Sequence, residues 1–429
     1  TFWPGYSYMS GDRIFAEVIH QRRLFPSRTH LDFYDLTANG HPVTLSRFAD
    51  LTIHYRRYCR SSFSVYSWKI NAVIRPEMTA ELLMKLRTAG CKEIIYGIES
   101  GSPALLKKMN KHYDVRVADE VLRDTHRANI MTVGNFMFGF PGETEDDFQM
   151  TLDFLRRNSK SMDKAYASAT FASLEENSYL TDHQESFGVR READKEFHCL
   201  YWETVNGDNT YLVRLDRYRR FRKLAIELGL EAYRGVNGSL ELEHQSRSAQ
   251  FYRYTDDRLK AVGAYIEYLK LDPGNSAMRM ELQSYMNDLQ KLGELSRRLE
   301  EIQTRHAGVE AAAQAKIWDL AHGWFTDDKV FEMGQIPDLR DFVEGHPSCR
   351  PLVSDLISFH AELQKLDCHG SVRWDGGRFV LAYGSSTVDA SISKMSDESV
   401  RLLRETAAAV QKPPDPLECY QRRLEVPLA

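Results

Sequence analysis

Cysteine is scarce: six residues in a chain of 429, no two as close as Cys-x-x-Cys. That excludes a disulfide-stapled scaffold and makes a reducing cytoplasm the expected location. Uncharged apolar runs of about 18–20 residues, the length that spans a bilayer, are missing, so no membrane partner is expected. An excess of positive charge is missing too, with 56 Lys and Arg against 61 Asp and Glu and a pI near 6.3. Such a chain is not built to coat nucleic acid, although a local basic patch stays open. The opening Thr1-Phe2-Trp3-Pro4-Gly5-Tyr6 has no initiator Met, no charged leader and no apolar signal core; it reads as a chain cut inside a domain. What is present, 42% apolar and 27% charged residues, excludes a disordered or fibrous protein. Length alone suggests roughly two to four domains.

Residues 10–171 alternate two hydrophobic periods. Ile14, Phe15, Val18 and Ile19 stand at helical spacing behind Ser10, a capping residue. Leu45, Phe48, Leu51 and Tyr55 repeat that spacing, as do Leu82, Leu83 and Leu86, closed by Gly90. Val117, Val121 and Leu122 give a further helix, and Phe148, Leu152 and Leu155 another. Between them lie β-like runs over 30–35, 66–75, 93–98, 131–138 and 164–171. Alternation with short connections predicts adjacent parallel strands with right-handed helical crossovers, hence an α/β barrel or a doubly wound sheet. Beyond 190 the pattern becomes helical. Leu215, Tyr218, Phe221, Ala225 and Leu228 form one stripe, and Arg214, Arg217, Arg219, Arg220, Arg222 and Lys223 read as its solvated face. Two amphipathic helices follow over 255–300 around Asp272-Pro273-Gly274-Asn275, with Thr255 as the cap of the first. An Ala-rich helix over 309–321, a hairpin around Asp375-Gly376-Gly377 and a proline-rich tail, Lys412-Pro413-Pro414-Asp415-Pro416, complete the chain.

In either architecture, function collects where strands end and helices begin. Those places hold Asp35 to Gly40, Arg75-Pro76, Glu99 to Ser102, Gly139 to Thr144, and the loop from Ser173 to Tyr179. Gly97-Ile98-Glu99-Ser100-Gly101-Ser102 sets a carboxylate just past a buried strand, between glycines that let backbone approach a ligand. Lys111 follows after a short helix. The pair suits a ligand with hydroxyls and a carboxylate, or is simply a turn with a solvated Glu and Lys. Gly139-Phe140-Pro141-Gly142-Glu143-Thr144 is sharper: Pro141-Gly142 makes a turn, and Thr144 with Asp147 makes a capping box. Cys368-His369 supplies at most half a metal site.

Taken together, these segments resemble the radical S-adenosylmethionine (radical SAM) superfamily, most closely the class preceded by a cobalamin (B12)-binding domain. The matching pieces are Phe2 to Tyr6, Asp35 with Asn39, Arg75, Ala89-Gly90-Cys91 leading into Gly97 to Ser102, Leu106/Met109/Lys111, and Gly139 to Thr144. The resemblance covers residues 1 to about 230. It implies a partial (βα)6 barrel lacking strand one over 1–190 and a helical extension over 191–250. A tetratricopeptide-like hairpin over 251–302 and a helical and α+β region over 303–429 follow. One hallmark is missing: no Cys-x-x-x-Cys-x-x-Cys occurs, since Cys59, Cys91, Cys199, Cys349, Cys368 and Cys419 lie far apart. A cluster needs thiolates, so strand one, the cysteine loop and any cobalamin domain are expected upstream of Thr1. Cys91 is expected to pack as a small apolar residue.

The resemblance further implies an enzyme that cleaves S-adenosyl-L-methionine reductively at a [4Fe-4S] cluster to start radical chemistry, with cobalamin-dependent methylation or C–C and C–H bond modification as the expected class. The cofactors implied are S-adenosyl-L-methionine, the [4Fe-4S] cluster and, in the parent protein, cobalamin. The partners implied are a small-molecule substrate and an electron donor such as flavodoxin or ferredoxin. No catalytic or metal-ligating residue is expected in this chain, which alone should be inactive. By position, Glu99 resembles the group that holds the ribose hydroxyls and Lys111 the cation near the methionine carboxylate. The turn Gly139, Phe140, Pro141, Gly142 resembles the backbone that frames adenine. Asp35, Asn39, Arg75, Ser100 and Glu143 are expected around the same mouth. On the side of the missing strand, Leu31 and Phe33 should be uncovered, and Arg217→Ala should be silent. The alternative is a cluster-less barrel descendant acting as a binding scaffold.

Overall fold

The structure, a computed structural model, describes residues 7–34, 37–59, 66–190, 198–230, 240–255, 257–325, 332–365, 370–375, 377–383, 386–388 and 391–411. Asp35, Cys368, Cys419 and the proline-rich tail lie outside them. The chain divides into two compact units, Thr1–Leu240 and Glu241–Ala429.

The first unit is built on five parallel strands in sequence order: β1 (His30–Phe33), β2 (Ser67–Val73), β3 (Cys91–Glu99), β4 (Met131–Phe136) and β5 (Lys164–Ala167). Between them run α1 (Gly11–Leu24) ahead of β1, α2 (Pro42–Tyr58), α3 (Ala80–Thr88), α4 (Pro103–Lys108), α5 (Val115–Arg127) and α6 (Glu145–Asn158). The expected parallel α/β sheet is therefore present; β1, β2, β4 and β5 end short of their sequence limits, while β3 runs one residue past its own, to Glu99. Period-two burial explains which face is which. Trp68, Ile70 and Ala72 of β2 and Ile94, Tyr96 and Ile98 of β3 are buried. Trp68 meets Phe48 of α2 edge-on at 5.4 Å, and the Tyr96 hydroxyl lies 2.9 Å from Thr125 of α5. That parity faces the helix layer. Burying each such side chain is worth roughly 1.5–3 kcal/mol. The opposite parity carries Asp32, Lys69, Asn71, Glu93, Asn135 and Tyr166, all half-buried or exposed, with Lys69 paired to Asp32 at 3.0 Å.

Local capping follows the sequence. Ser10 accepts from the Arg13 amide, and Thr144 and Asp147 close a full capping box on α6. Cys91 is fully buried as the first residue of β3. Leu31 and Phe33 are half-buried rather than uncovered. They line a cavity of about 550 Å³ with Ile14 and Val18, and Phe33 packs edge-on against Phe48 and Trp68.

Beyond β5 the unit continues with the short elements α7 (Tyr179–Asp182), β6 (Val189–Arg190), α8 (His198–Tyr201) and β7 (Glu203–Thr204), then α9 (Tyr211–Glu227). Here the sequence reading needs correction. Arg214, Arg217 and Arg222 are buried among Leu215, Tyr218 and Phe221 rather than solvated. A guanidinium on an amphipathic helix reads as a solvent group, yet five fixed donors satisfy it in the interior when acceptors converge on it.

The second unit holds α10 (Leu240–Tyr254), α11 (Arg258–Leu271), α12 (Ser276–Arg305), α13 (Ala311–Phe325), α14 (Pro337–Gly345), α15 (Arg350–Leu363) and α16 (Ser391–Gln411). An antiparallel sheet of β8 (Gly370–Asp375), β9 (Arg378–Tyr383) and β10 (Ser386–Val388) joins them. Asp257, not Thr255, caps α11 through the Lys260 amide; the Thr255 hydroxyl donates back to the Phe251 and Tyr252 carbonyls that end α10. At 30 residues, α12 alone is about as long as a whole two-helix tetratricopeptide repeat, so the hairpin departs from that pattern. One core, including Leu269, Leu292, Phe325, Leu356 and Leu381, runs through the helices on both sides of residue 302 and the antiparallel sheet.

Candidate functional site

In a parallel sheet all carboxyl ends share one edge, and the loops there carry the site residues. The loop after β1 brings Asn39, fully buried, onto the end of β2. Its amide donates to the Val73 carbonyl (2.8 Å) and accepts from the Val73 N–H (3.0 Å). Asn39 thus extends the ladder where the strand stops, with its side-chain oxygen and one amide hydrogen engaged by backbone. Arg75 donates to the Gly40 carbonyl at 3.3 Å, tying the same two segments together.

Glu99 ends β3 in the left-handed region, at φ 63°. The β3–β4 register slips there, Gly97 facing Asn135 and Glu99 facing Phe136, so Ile98 is the extra residue of a bulge. A non-glycine residue in that conformation costs about 1–2 kcal/mol, and a bulge re-aims the side chain that follows it. Tyr113, which sequence reasoning missed, holds the bulge: its hydroxyl donates to the Ile98 carbonyl at 2.5 Å. Burial, with the Glu99 charge nearby, pushes the Tyr113 hydroxyl up, keeping it a donor. The Glu99 carboxylate, about a fifth exposed, pairs with Lys111 at 3.0 Å. A Lys ammonium has three donors, so this pair leaves two for another acceptor.

Ser100 does not face the opening. Its hydroxyl meets Thr151 Oγ1 of α6 at 3.0 Å, and Gly101 N–H donates to that same Thr151 oxygen. Ser102 caps α4 and donates to Asp147. These bonds fasten the loop after β3 to the helix after β4. The stitching continues through Met137 N–H to the Glu99 carbonyl (3.1 Å) and Lys108 to the Gly142 carbonyl (2.8 Å).

The turn after β4 is type II across Phe140, Pro141, Gly142 and Glu143, closed by Glu143 N–H to the Phe140 carbonyl at 2.9 Å. Gly142 sits at φ 78°, where that turn needs glycine. Gly139 also has positive φ, 76°, and a Cβ there would overlap the Arg214 side chain. Asn209 donates to the Gly139 and Phe140 carbonyls (3.0 and 3.3 Å). Glu143 folds back under the turn: Oε2 accepts from Gly139 N–H and from Arg217 Nη1 at 2.9 Å. Glu143 and Arg217 are 1% and 4% exposed as side chains. Burial pushes the Glu143 carboxyl up to about 7, with Arg217 pulling against it. Among the described residues, the N–H groups of Phe140 and Gly142 have no protein acceptor, so the turn keeps two donors for a ligand.

The structure therefore brings Glu99, Lys111 and the Gly139–Gly142 turn together, with Asn39 and Arg75 one strand away. Asn209, Arg214 and Arg217 were not legible as site-supporting residues. The turn residues that Asn209 and Arg217 hold lie about 70 residues away in sequence, and Arg214 closes on acceptors in the segment before α9, at Leu200, Trp202 and Asn209. Among the described residues no group of three His, Cys, Asp or Glu side chains could hold a metal.

The residues described above gather at the carboxyl-terminal edge of a five-stranded parallel α/β sheet. Residues 40–155 match the family model of the radical SAM superfamily. A bacteriochlorophyllide d C-12(1)-methyltransferase of Chlorobaculum tepidum is 28% identical over 164 residues, 37% of this chain and 33% of that protein. A tRNA-2-methylthio-N(6)-dimethylallyladenosine synthase of Clostridium botulinum is 38% identical over 68 residues, 15% of each chain. The chain thus spans a third or less of these relatives. The radical S-adenosylmethionine methyltransferase TsrM of Kitasatospora setae, solved with cobalamin and a [4Fe-4S] cluster, superposes with a TM-score of 0.33 at 17% identity, covering 37% of this chain and 30% of that one.

Proposed function

We propose that the carboxyl-terminal edge of β3 and β4 binds S-adenosylmethionine and forms part of a radical SAM enzyme. The observation that carries this is the strained, bulge-aimed Glu99 paired with Lys111 beside a turn that keeps two backbone donors. Glu99 accepts from the ribose hydroxyls, and Lys111 offers its remaining donors to the methionine carboxylate. The Phe140 and Gly142 N–H groups meet acceptors on the adenine edge. Half-burial of the Glu99–Lys111 pair lowers the local dielectric, strengthening these contacts relative to bulk water.

The residues present do not fit a [4Fe-4S] cluster. No three-cysteine loop occurs, and the buried Cys91 and Cys349 are far apart in sequence and in different compact units. Thiolate ligands would have to come from residues other than these, and an electron donor of the flavodoxin or ferredoxin kind belongs to the same reading. A small-molecule substrate and methyl transfer, with cobalamin in the parent protein, complete it; the support is the methyltransferase among the relatives.

Anaerobic formation of 5′-deoxyadenosine, by a protein that carries a three-cysteine loop ahead of these residues, tests the proposal. A charge-assisted hydrogen bond is worth about 1.5–3 kcal/mol, so Glu99→Ala should lower cleavage roughly 10- to 150-fold at subsaturating S-adenosylmethionine. Equal rates for the two proteins would remove Glu99 from the site.

A further inference from the structure

We infer that the buried Arg217–Glu143 pair is a positioning device through which helix α9 sets the shape of the Gly139–Gly142 turn, and with it the affinity for the adenosyl group. This rests on the reading of that turn as the frame for adenine.

The geometry runs through one carboxylate. Glu143 Oε2 accepts from the Gly139 N–H at the start of the turn, while the Glu143 N–H closes the turn at its end. The side chain therefore ties together both ends of the segment it belongs to. Arg217 holds that carboxylate from beneath, Nη1 on Oε2 at 2.9 Å and Nη2 on the Glu143 carbonyl at 3.3 Å. Its guanidinium also lies 5.8 Å from the Phe148 ring centre and 3.7 Å from Glu145. Arg214, one turn earlier on α9, packs flat under Gly139, stacked 4.0 Å over Trp202. Most of the turn's other polar groups are engaged: Gly139 N–H by Glu143, the Gly139 and Phe140 carbonyls by Asn209, the Gly142 carbonyl by Lys108. Among the turn's N–H groups those of Phe140 and Gly142 remain, and their direction depends on how the engaged set is held.

A buried ion pair is weak evidence for stability, since desolvation offsets much of its attraction. Placed across a ligand-framing turn, its clearer consequence is geometric. Without Arg217, Glu143 keeps a buried carboxyl with no cation; it must take a proton or swing toward water, and in the second case it pulls Gly139 with it. An amide at 143 relieves that problem. Its oxygen still accepts from Gly139 N–H and carries no charge that needs Arg217. The silent Arg217→Ala outcome expected from the sequence is thereby reversed.

The test is calorimetric titration of the 429-residue chain with S-adenosylhomocysteine, alongside thermal unfolding of each variant. Arg217→Met should weaken binding roughly 10-fold, the equivalent of one lost hydrogen bond of about 1.4 kcal/mol. Adding Glu143→Gln to Arg217→Met should restore most of the affinity, and Arg156→Met, an exposed residue of α6, should change nothing. Unchanged affinity in Arg217→Met, with Glu99→Ala weakened, overturns the inference and leaves the site reading intact. Affinity losses that merely track the loss of melting temperature, without recovery in the double variant, overturn it as well. No saturable binding by the unsubstituted chain, or no loss on Glu99→Ala, overturns the site reading and the inference together.

Discussion

Gly139→Ala concentrates the physics of the site in one methyl group. At φ 76° an alanine pays about 1–2 kcal/mol for the left-handed backbone. Its Cβ would also overlap Cγ and Cδ of Arg214. That side chain cannot swing away, because it is fully buried and its guanidinium donates to the Trp202 carbonyl (2.7 Å), the Leu200 carbonyl (3.0 Å) and Asn209 Oδ1 (3.1 Å). Overpacking of this kind costs roughly 1–3 kcal/mol, so the substitution should destabilise the first unit by about 2–5 kcal/mol in all. Gly207 is the internal standard: φ is 73° and no atom lies within 4 Å of an added Cβ, so Gly207→Ala should cost the backbone part alone. Amide exchange of β4 during urea unfolding reads the first unit without mixing in the second. An Arg214→Ala background should shrink the Gly139→Ala cost to the Gly207→Ala level. Equal costs for the two alanines in the unsubstituted chain would refute the packing argument.

Asn39→Ala should destabilise the first unit by about 1–3 kcal/mol, because it removes both bonds to the half-buried Val73 N–H and carbonyl; urea unfolding followed by amide exchange of β2 reads it, and a loss near zero would mean that water replaces both bonds. Glu143 predicts a pH dependence. Its carboxyl rises from 4.5 to about 7 on folding, so the unfolded chain gives up its proton first. Stability from this group is present below pH about 4.5 and falls by about 3 kcal/mol as the pH rises to about 7. Comparing unfolding at the two ends of that interval, Glu143→Gln should lack this slope; parallel pH profiles would contradict it.

What was legible in the sequence was local. The five strands and their order could be read because each run is bounded by a helix stripe at a different period, and parallel neighbours follow from short crossovers. The capping box of Thr144 and the turn at Pro141-Gly142 were legible for the same reason, since every partner lies within a few residues. The site was legible as a set of loops but not as a set of roles. Asn39 looks like a polar group at a cleft, yet its amide donates to and accepts from one residue of the next strand. Glu99 shows no sign in sequence of its left-handed backbone, because only glycine or asparagine would have suggested it. Arg214 and Arg217 were read as solvated because charge on a helix face is solvated by default. Their acceptors, Asn209 in the preceding loop and Glu143 on the β4 turn, appear only when the chain is folded. Asp35 lies outside the described residues, and its place in the mouth stays a sequence expectation.

The central claim is that the turn after β4 and the carboxylate of Glu99 frame one adenosyl group. Photo-crosslinking of an azidoadenine analogue of S-adenosylmethionine to the chain, with the labelled peptide mapped by mass spectrometry, tests it most directly. The account predicts label within residues 139–143, lost on addition of excess S-adenosylmethionine and strongly reduced in Glu99→Ala. Label confined to other segments, or label in the turn that neither competitor nor Glu99→Ala diminishes, would contradict it.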